Sequence, residues 1–259
     1  MQEFDLTVNG LKVKAAYDSA TVDHVLVPLI RRWSNLARGL GRRMIVFLAG
    51  APGTGKSTCA LALEELSREV EGALPLTAVG LDGFHYPNSY LRSNAVTIAG
   101  KDVLLSDIKG APETFDLPAF RKKLVELKHE RRVSMPSYSR KTHEVDERSI
   151  LVDTRIVLVE GNYLLLDEPG WRGLCAYCND SVFIEASPSE LKARLVERKV
   201  AGGMKKDEAE AFYETSDGRN VQRVLSHRVP CAITLEQSGI NHLSRKVTSR
   251  DISSSRPSI

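Results

Sequence analysis

The chain has 259 residues, 42% of them hydrophobic, enough apolar material for one large α/β domain with an appendage. Its formal net charge of +3 is too small for the basic field that nucleic acid calls for, and no apolar run is long enough to span a bilayer. The opening Met1-Gln2-Glu3-Phe4-Asp5 lacks the basic and apolar regions of a secretory leader, so a cytoplasmic protein without nucleic-acid or membrane partners is expected.

Residues 4 to 17 read as a hairpin. Phe4, Leu6 and Val8 alternate, Asn9-Gly10 is a two-residue turn signal, and Leu11, Val13 and Ala15 alternate after it. Helical spacing follows in Val22, Val25, Leu26, Leu29, Ile30, Trp33, Leu36, Ala37 and Leu40, with capping candidates from Asp18 to Thr21. This appendage, 1–42, carries no recognisable chemistry, and packing or a homodimer surface is its expected use. The core, 43–243, alternates short apolar strands (44–49, 77–82, 155–160, 181–185, 231–235) with helices (60–71, 116–130, 188–201, 205–214). Strands of that kind are buried on both faces, so the expected fold class is α/β: a doubly wound, three-layer α/β/α arrangement on a mainly parallel sheet, with an N-terminal β-hairpin and helix added. The stretch 83–115, with Pro87, Gly100, Gly110 and Pro112, is expected to be a long irregular loop of functional interest. The tail 244–259, rich in Ser and Arg, is expected to be mobile. Cys175 and Cys178 form a C-x-x-C without a second ligand pair, so they read with Cys59 and Cys231 as reduced thiols.

In a doubly wound sheet, ligands bind outside the carboxyl ends of the strands. There Gly50, Ala51, Pro52, Gly53, Thr54, Gly55, Lys56, Ser57 and Thr58 fit G-x-x-x-x-G-K-[ST], between the apolar run Met44 to Ala49 and a helix. The glycines let backbone N–H groups curl around phosphate oxygens, and the helix N-terminus adds positive partial charge. Lys56 is expected to reach the β- and γ-phosphates of a nucleoside triphosphate, and the Ser57 hydroxyl to sit on Mg²⁺. Asp82, read as the end of an apolar strand, is placed to accept a hydroxyl's proton or to hold a Mg²⁺-bound water. Glu160, after Arg155-Ile156-Val157-Leu158-Val159, is a Walker-B type carboxylate for the metal. Arg194 and Arg198, four apart on one helix face, are candidates to neutralise transition-state charge. His85, Asn88, Tyr138, Arg140, His143 and Asn162 lie on loops after core strands or in the inserted region. Their polar groups suit a polyhydroxylated or amide-rich small molecule, and Tyr138 could stack on a base or a sugar face.

These residues resemble the family of phosphoribulokinase, uridine kinase and bacterial type I pantothenate kinase over about residues 44 to 236. Leu81-Asp82-Gly83-Phe84-His85-Tyr86-Pro87-Asn88 is similar to a D-G-F-x-x-P-N segment, and Lys109-Gly110-Ala111-Pro112-Glu113-Thr114-Phe115-Asp116 to K-G-x-P-E-[ST]-[FY]-D, both of pantothenate kinases. Pro136-Ser137-Tyr138 with His143 resembles the P-x-Y-x-x-x-x-H stretch of uridine kinases. The N-terminal Val-Asn-Gly-Leu, Val159-Glu160-Gly161-Asn162-Tyr163 and Ser216-Asp217-Gly218-Arg219-Asn220-Val221 look like a bacterial branch that includes sugar kinases associated with fructose transport. Ser139 and Glu144 stand where uridine kinases carry an acid and a base, and Arg140 where pantothenate kinases place a histidine. The resemblance implies ATP and Mg²⁺ as cofactors, Asp82 as base, Lys56 on the phosphates, Ser57 and Glu160 on the metal, Arg194 or Arg198 in a closing lid, and Asn220 near the nucleotide. The expected function is an ATP-dependent kinase of a small molecule, a sugar or sugar-like metabolite. The alternatives are a uridine-like nucleoside or pantothenate as acceptor and, from another class, a non-catalytic ATP-binding metabolite sensor. A GTPase or a transporter ATPase would want N-K-x-D or L-S-G-G-Q, and neither occurs.

Overall fold

The structure, a computed structural model, describes residues 1–246. β1 (Gln2–Val8) and β2 (Leu11–Tyr17) pair antiparallel through Asn9 and Gly10, whose φ angles of 49° and 81° are those of the type I′ turn that Asn-Gly favours. Asp18 caps α1 (Ser19–Thr21) by accepting from the Thr21 N–H at 2.7 Å. A π-helical turn, Val22–Leu26, leads into α2 (Val27–Gly39). β3 (Met44–Gly50) then runs into the glycine loop and α3 (Lys56–Glu69), followed by β4 (Leu76–Gly80). The inserted region holds α4 (Asn88–Ser93), the hairpin β5 (Ala95–Ile98) and β6 (Lys101–Leu104), α5 (Leu117–His129), and a second hairpin, β7 (Val133–Ser139) with β8 (Glu144–Val152). β9 (Ile156–Gly161), β10 (Asp180–Glu185), α6 (Pro188–Ala201), α7 (Lys206–Phe212), α8 (Gly218–Ser226), β11 (Ile233–Ser238) and β12 (His242–Arg245) complete the described residues.

The central sheet has the order β12-β11-β10-β3-β9-β4, parallel except for β12. Alternation along β3 divides the core. Ile45, Phe47 and Ala49 enter a cluster with Phe84, Phe120, Leu124 and Leu195, while Met44, Val46 and Leu48 enter one with Leu26, Ile30, Trp33, Leu63 and the hairpin residues Phe4, Leu6 and Val8. The second cluster consumes the apolar stripe of residues 1–42 within the chain. That burial is the packing use expected of residues 1–42. Register aligns the strand ends: Leu48 of β3 and Gly80 of β4 both face Glu160 of β9.

The structure corrects several expectations. Residues 83–115 are not an irregular loop but contain α4 and the β5–β6 hairpin, which closes through Ala99 and Gly100 at positive φ. β4 stops at Gly80, and Asp82 sits in the 3₁₀ turn Leu81–Phe84. The β7–β8 hairpin went unread because Pro136 interrupts it; the ladder accommodates this with a register shift between Pro136 and Ser137. Helix α8 and strand β12 were also unread, and β12 carries order through Arg245, inside the stretch expected to be mobile. The rest of that expected tail, 247–259, lies outside the described residues.

Candidate active site

The glycine loop closes because Gly53 and Gly55 take left-handed backbone, at φ 88° and 73°. Thr54 donates its Oγ1 hydrogen to Ala51 O at 3.0 Å. Gly55 caps α3 without a side chain, which leaves the first-turn N–H groups to a ligand. Lys56 opens the helix and is buried, and its ammonium makes no hydrogen bond among the described residues. Burial pulls its pKa down, against the nearby carboxylates of Glu160 and Asp82; Arg140 and Arg198 add to the fall. Ser57 donates its hydroxyl hydrogen to Glu160 Oε1 at 2.9 Å. Burial pushes the Glu160 carboxyl up to about 6, opposed by Lys56 and assisted by Asp82.

Asp82 is held from the N-terminal hairpin: Asn9 Nδ2 donates to its Oδ2 at 3.2 Å. The Asn9 carbonyl accepts from the Arg140 N–H at 2.9 Å. Arg140 sits just after β7, and its guanidinium makes no hydrogen bond or ion pair among the described residues. Arg198 on α6 is likewise unpaired and exposed; desolvation by the surrounding protein lowers its pKa, with the Arg140 charge adding to the effect. Lys56, Asp82, Arg140, Glu160 and Arg198 thus share one electrostatic field.

The other predicted residues have local ties. Arg194 Nη1 donates to Gln237 Oε1 at 2.5 Å and its Nη2 to Gly239 O at 2.8 Å, bracing the glycine loop against the β11–β12 turn. His85 Nδ1 lies 2.9 Å from the Asp82 carbonyl, so it carries the hydrogen, and its ring packs 3.9 Å from Phe115 and 5.1 Å from Tyr138. Burial lowers its pKa, opposed by the nearby Asp82. The Lys109 ammonium lies 5.7 Å from the Tyr138 ring centre, and burial lifts the Tyr138 hydroxyl to about 12. Asn88 donates to His143 O at 3.1 Å, and Lys109 bridges Asn88 Oδ1 (2.5 Å) and His143 O (2.6 Å). The His143 side chain is exposed. Asn162, beyond β9, has a buried Oδ1 without a partner, and Asn220 is buried on α8.

Two cavities flank the hairpin. One, of about 280 Å³, is lined by Thr7 to Gly10, Ser57, Ser137, Tyr138, Asp146, Arg148 and Glu160, with an apolar wall from α3 and β4. The other, of about 240 Å³, lies between β2 (Val13 to Tyr17), Gly53, Gly55, Thr58, Arg194, Gln237 and Asn241. Asn220 lines neither. Sequence reasoning missed Asn9 and Gln237; Asn9 was read for its turn alone, and nothing local in the sequence marks its contact with Asp82. No three His, Cys, Asp or Glu side chains gather as a metal site among the described residues. The oxygen donors present, Ser57, Glu160 and Asp82, suit a hard cation that takes its remaining ligands from phosphate and water.

The sequence model of the Phosphoribulokinase / Uridine kinase family matches residues 45–202. YggC of Escherichia coli strain K12, an uncharacterized protein, is 37% identical over 243 residues, covering 93% of this chain and 98% of its own. A pantothenate kinase of Listeria monocytogenes serotype 4a is 33% identical over 158 residues, 60% of this chain and 49% of that protein. The crystal structure of a "putative fructose transport system kinase" from Silicibacter sp. TM1040 superposes with a TM-score of 0.71 at 36% identity, covering 81% of this chain and 98% of the other.

Proposed function

This chain belongs to the phosphoribulokinase / uridine kinase family and is a kinase, a phosphotransferase acting on a hydroxyl, and we propose that it moves the γ-phosphoryl group of ATP to a sugar or sugar-like metabolite in the cytoplasm, where ATP is at hand. The observation that carries this reading is the convergence of Lys56, the Ser57–Glu160 pair and Asp82 at one sheet edge, with Arg140 and Arg198 unpaired beside them. The loop N–H groups and Lys56 would hold the phosphates, and the cavity beside β2 would take the nucleoside. Asp82 would accept the proton as the acceptor oxygen bonds to the γ-phosphorus and the bond to the β-bridging oxygen breaks, releasing ADP. Arg198 would meet charge on the transferring group. Ser57, Glu160 and Asp82 would hold Mg²⁺, which supplies charge neutralisation on the phosphates.

Two observations favour a sugar. The cavity lined by Asn9, the partner of Asp82, carries the hydroxyls of Thr7, Ser57, Ser137 and Ser149, groups that pair with hydroxyls. Tyr138 is buried, with the His85 ring 5.1 Å and the Lys109 ammonium 5.7 Å from its ring centre, which leaves little of it for a nucleobase to stack on. ADP release from Mg-ATP across sugars, polyols, nucleosides and pantothenate tests the proposal. The expected outcome is turnover with a sugar or polyol, lowered roughly 10²- to 10⁴-fold in Asp82→Asn. Turnover confined to uridine or pantothenate would overturn the acceptor class. ATP binding without turnover of any acceptor would favour the sensor.

A further inference from the structure

We propose that Asn9, at the tip of the N-terminal hairpin, is a positioning residue of the active site: it sets the orientation of the Asp82 carboxylate and walls the acceptor pocket. The inference rests on Asp82 being the proton acceptor.

Asn9 lies 73 positions from Asp82 in the chain, yet its amide makes the one side-chain hydrogen bond that the Asp82 carboxylate receives among the described residues. The bond engages Oδ2, biases the carboxylate's orientation and leaves Oδ1 for an acceptor hydroxyl. A neutral amide does this without neutralising the charge, as lysine or arginine in its place would. The Asn9 carbonyl meanwhile holds the Arg140 N–H, so a single residue sets Asp82 and Arg140 relative to each other. The tip is rigid. Pairing runs up to Val8 and Leu11 at the turn, and Phe4, Leu6 and Val8 anchor the strand in the core. Thr7 to Gly10 line the cavity that Ser57, Glu160 and Tyr138 close from the other side.

The test uses the full chain and two variants that both tolerate the turn's positive φ, Asn9→Gly and Asn9→Asp. Glycine removes the donor; aspartate keeps the shape but sets a carboxylate against Asp82. With Mg-ATP and D-fructose, or water as acceptor, kcat is expected to fall roughly 10-fold in Asn9→Gly and about 100-fold in Asn9→Asp, with KM for ATP and Tm little changed. A residue needed only for the turn gives the opposite order, since Asp-Gly is a good type I′ pair, and that result overturns the proposal. In an Asp82→Asn background, Asn9→Gly is expected to cost nothing further. Full turnover by Asp82→Asn alone would instead sink the reading of Asp82 as base. A readout free of any acceptor decides the contact itself. The ¹⁵N side-chain amide signals of Asn9, identified by their loss in Asn9→Gly, are expected to move between wild type and Asp82→Ala. Identical positions in the two proteins overturn the proposal.

Discussion

Glu160 shows what one buried carboxyl does to stability. Its register between Leu48 and Gly80 puts it at the sheet edge, where the Ser57 hydroxyl is its hydrogen-bond donor. Burial lifts the carboxyl from 4.5 to about 6. A carboxyl raised in the folded state favours folding while it is protonated. That contribution is complete below the unfolded value and is lost as pH rises through the folded one. In buffer free of metal and nucleotide, wild type is therefore expected to lose on the order of 2 kcal/mol relative to Glu160→Gln between about pH 4.5 and pH 7, measured by urea unfolding. A constant difference across that range would mean that burial does not raise the group. Arg194 and Arg198 give a second lesson at this scale. Their spacing announces a shared helix face, but only the fold separates them: Arg194 is taken up by Gln237 and Gly239, and Arg198 is left without a partner among the described residues, in the field of Arg140 and Asp82.

Among the elements, the 3₁₀ turn Leu81–Phe84 matters most, because it carries Asp82. It lies so close to β7 that a Cβ on Gly83 would stand 2.3 Å from the Pro136 carbonyl oxygen and 2.7 Å from its carbon. Both are backbone atoms, so the turn or the hairpin must move. Gly83→Ala is expected to cost about 1–3 kcal/mol in thermal unfolding. It is also expected to lower kcat about 100-fold, since the carboxylate travels with the turn. Unchanged turnover in a destabilised variant would separate the turn's position from the chemistry. The segment Lys109 to Asp116 works in the same way as a brace. Tyr163 donates to Gly110 O at 2.6 Å, and Glu113 accepts from Arg223 of α8 at 2.7 Å and 3.1 Å. Its residues were legible in the sequence as a family signature. The partners Tyr163 and Arg223 were not, because each lies more than fifty positions from the residue it holds.

At the scale of the molecule, residues 1–42 are built into the protein rather than hung from it. The hairpin and α2 cover one face of the sheet, and Asp180 at the start of β10 locks them there, accepting from Arg32 Nε at 2.8 Å and from the Trp33 indole at 3.0 Å. Asp180 is buried while Arg32 is about half exposed, so the ion pair itself counts for little and the indole bond for more. Asp180→Ala leaves the buried indole N–H without an acceptor. The expected cost is about 2–3 kcal/mol, or a fall in Tm of about 4–12 °C by calorimetry. A fall of under a degree would show that apolar packing alone seats the N-terminal unit. Among the described residues, no helix is long and apolar enough to cross a membrane.

From the sequence alone, the glycine loop, the β-strand and α-helix alternation, the Asn9-Gly10 turn and the acids Asp82 and Glu160 could all be read. Each depends on a short-range rule: a glycine spacing, an apolar period, a charge closing an apolar run. The tertiary structure alone decided that the N-terminal hairpin reaches Asp82, that Arg198 rather than Arg194 is free among the described residues, and that Tyr138 is buried against His85. Those facts arise from contacts between segments far apart in the chain, where packing of the whole selects the partners and local propensity carries no information about them.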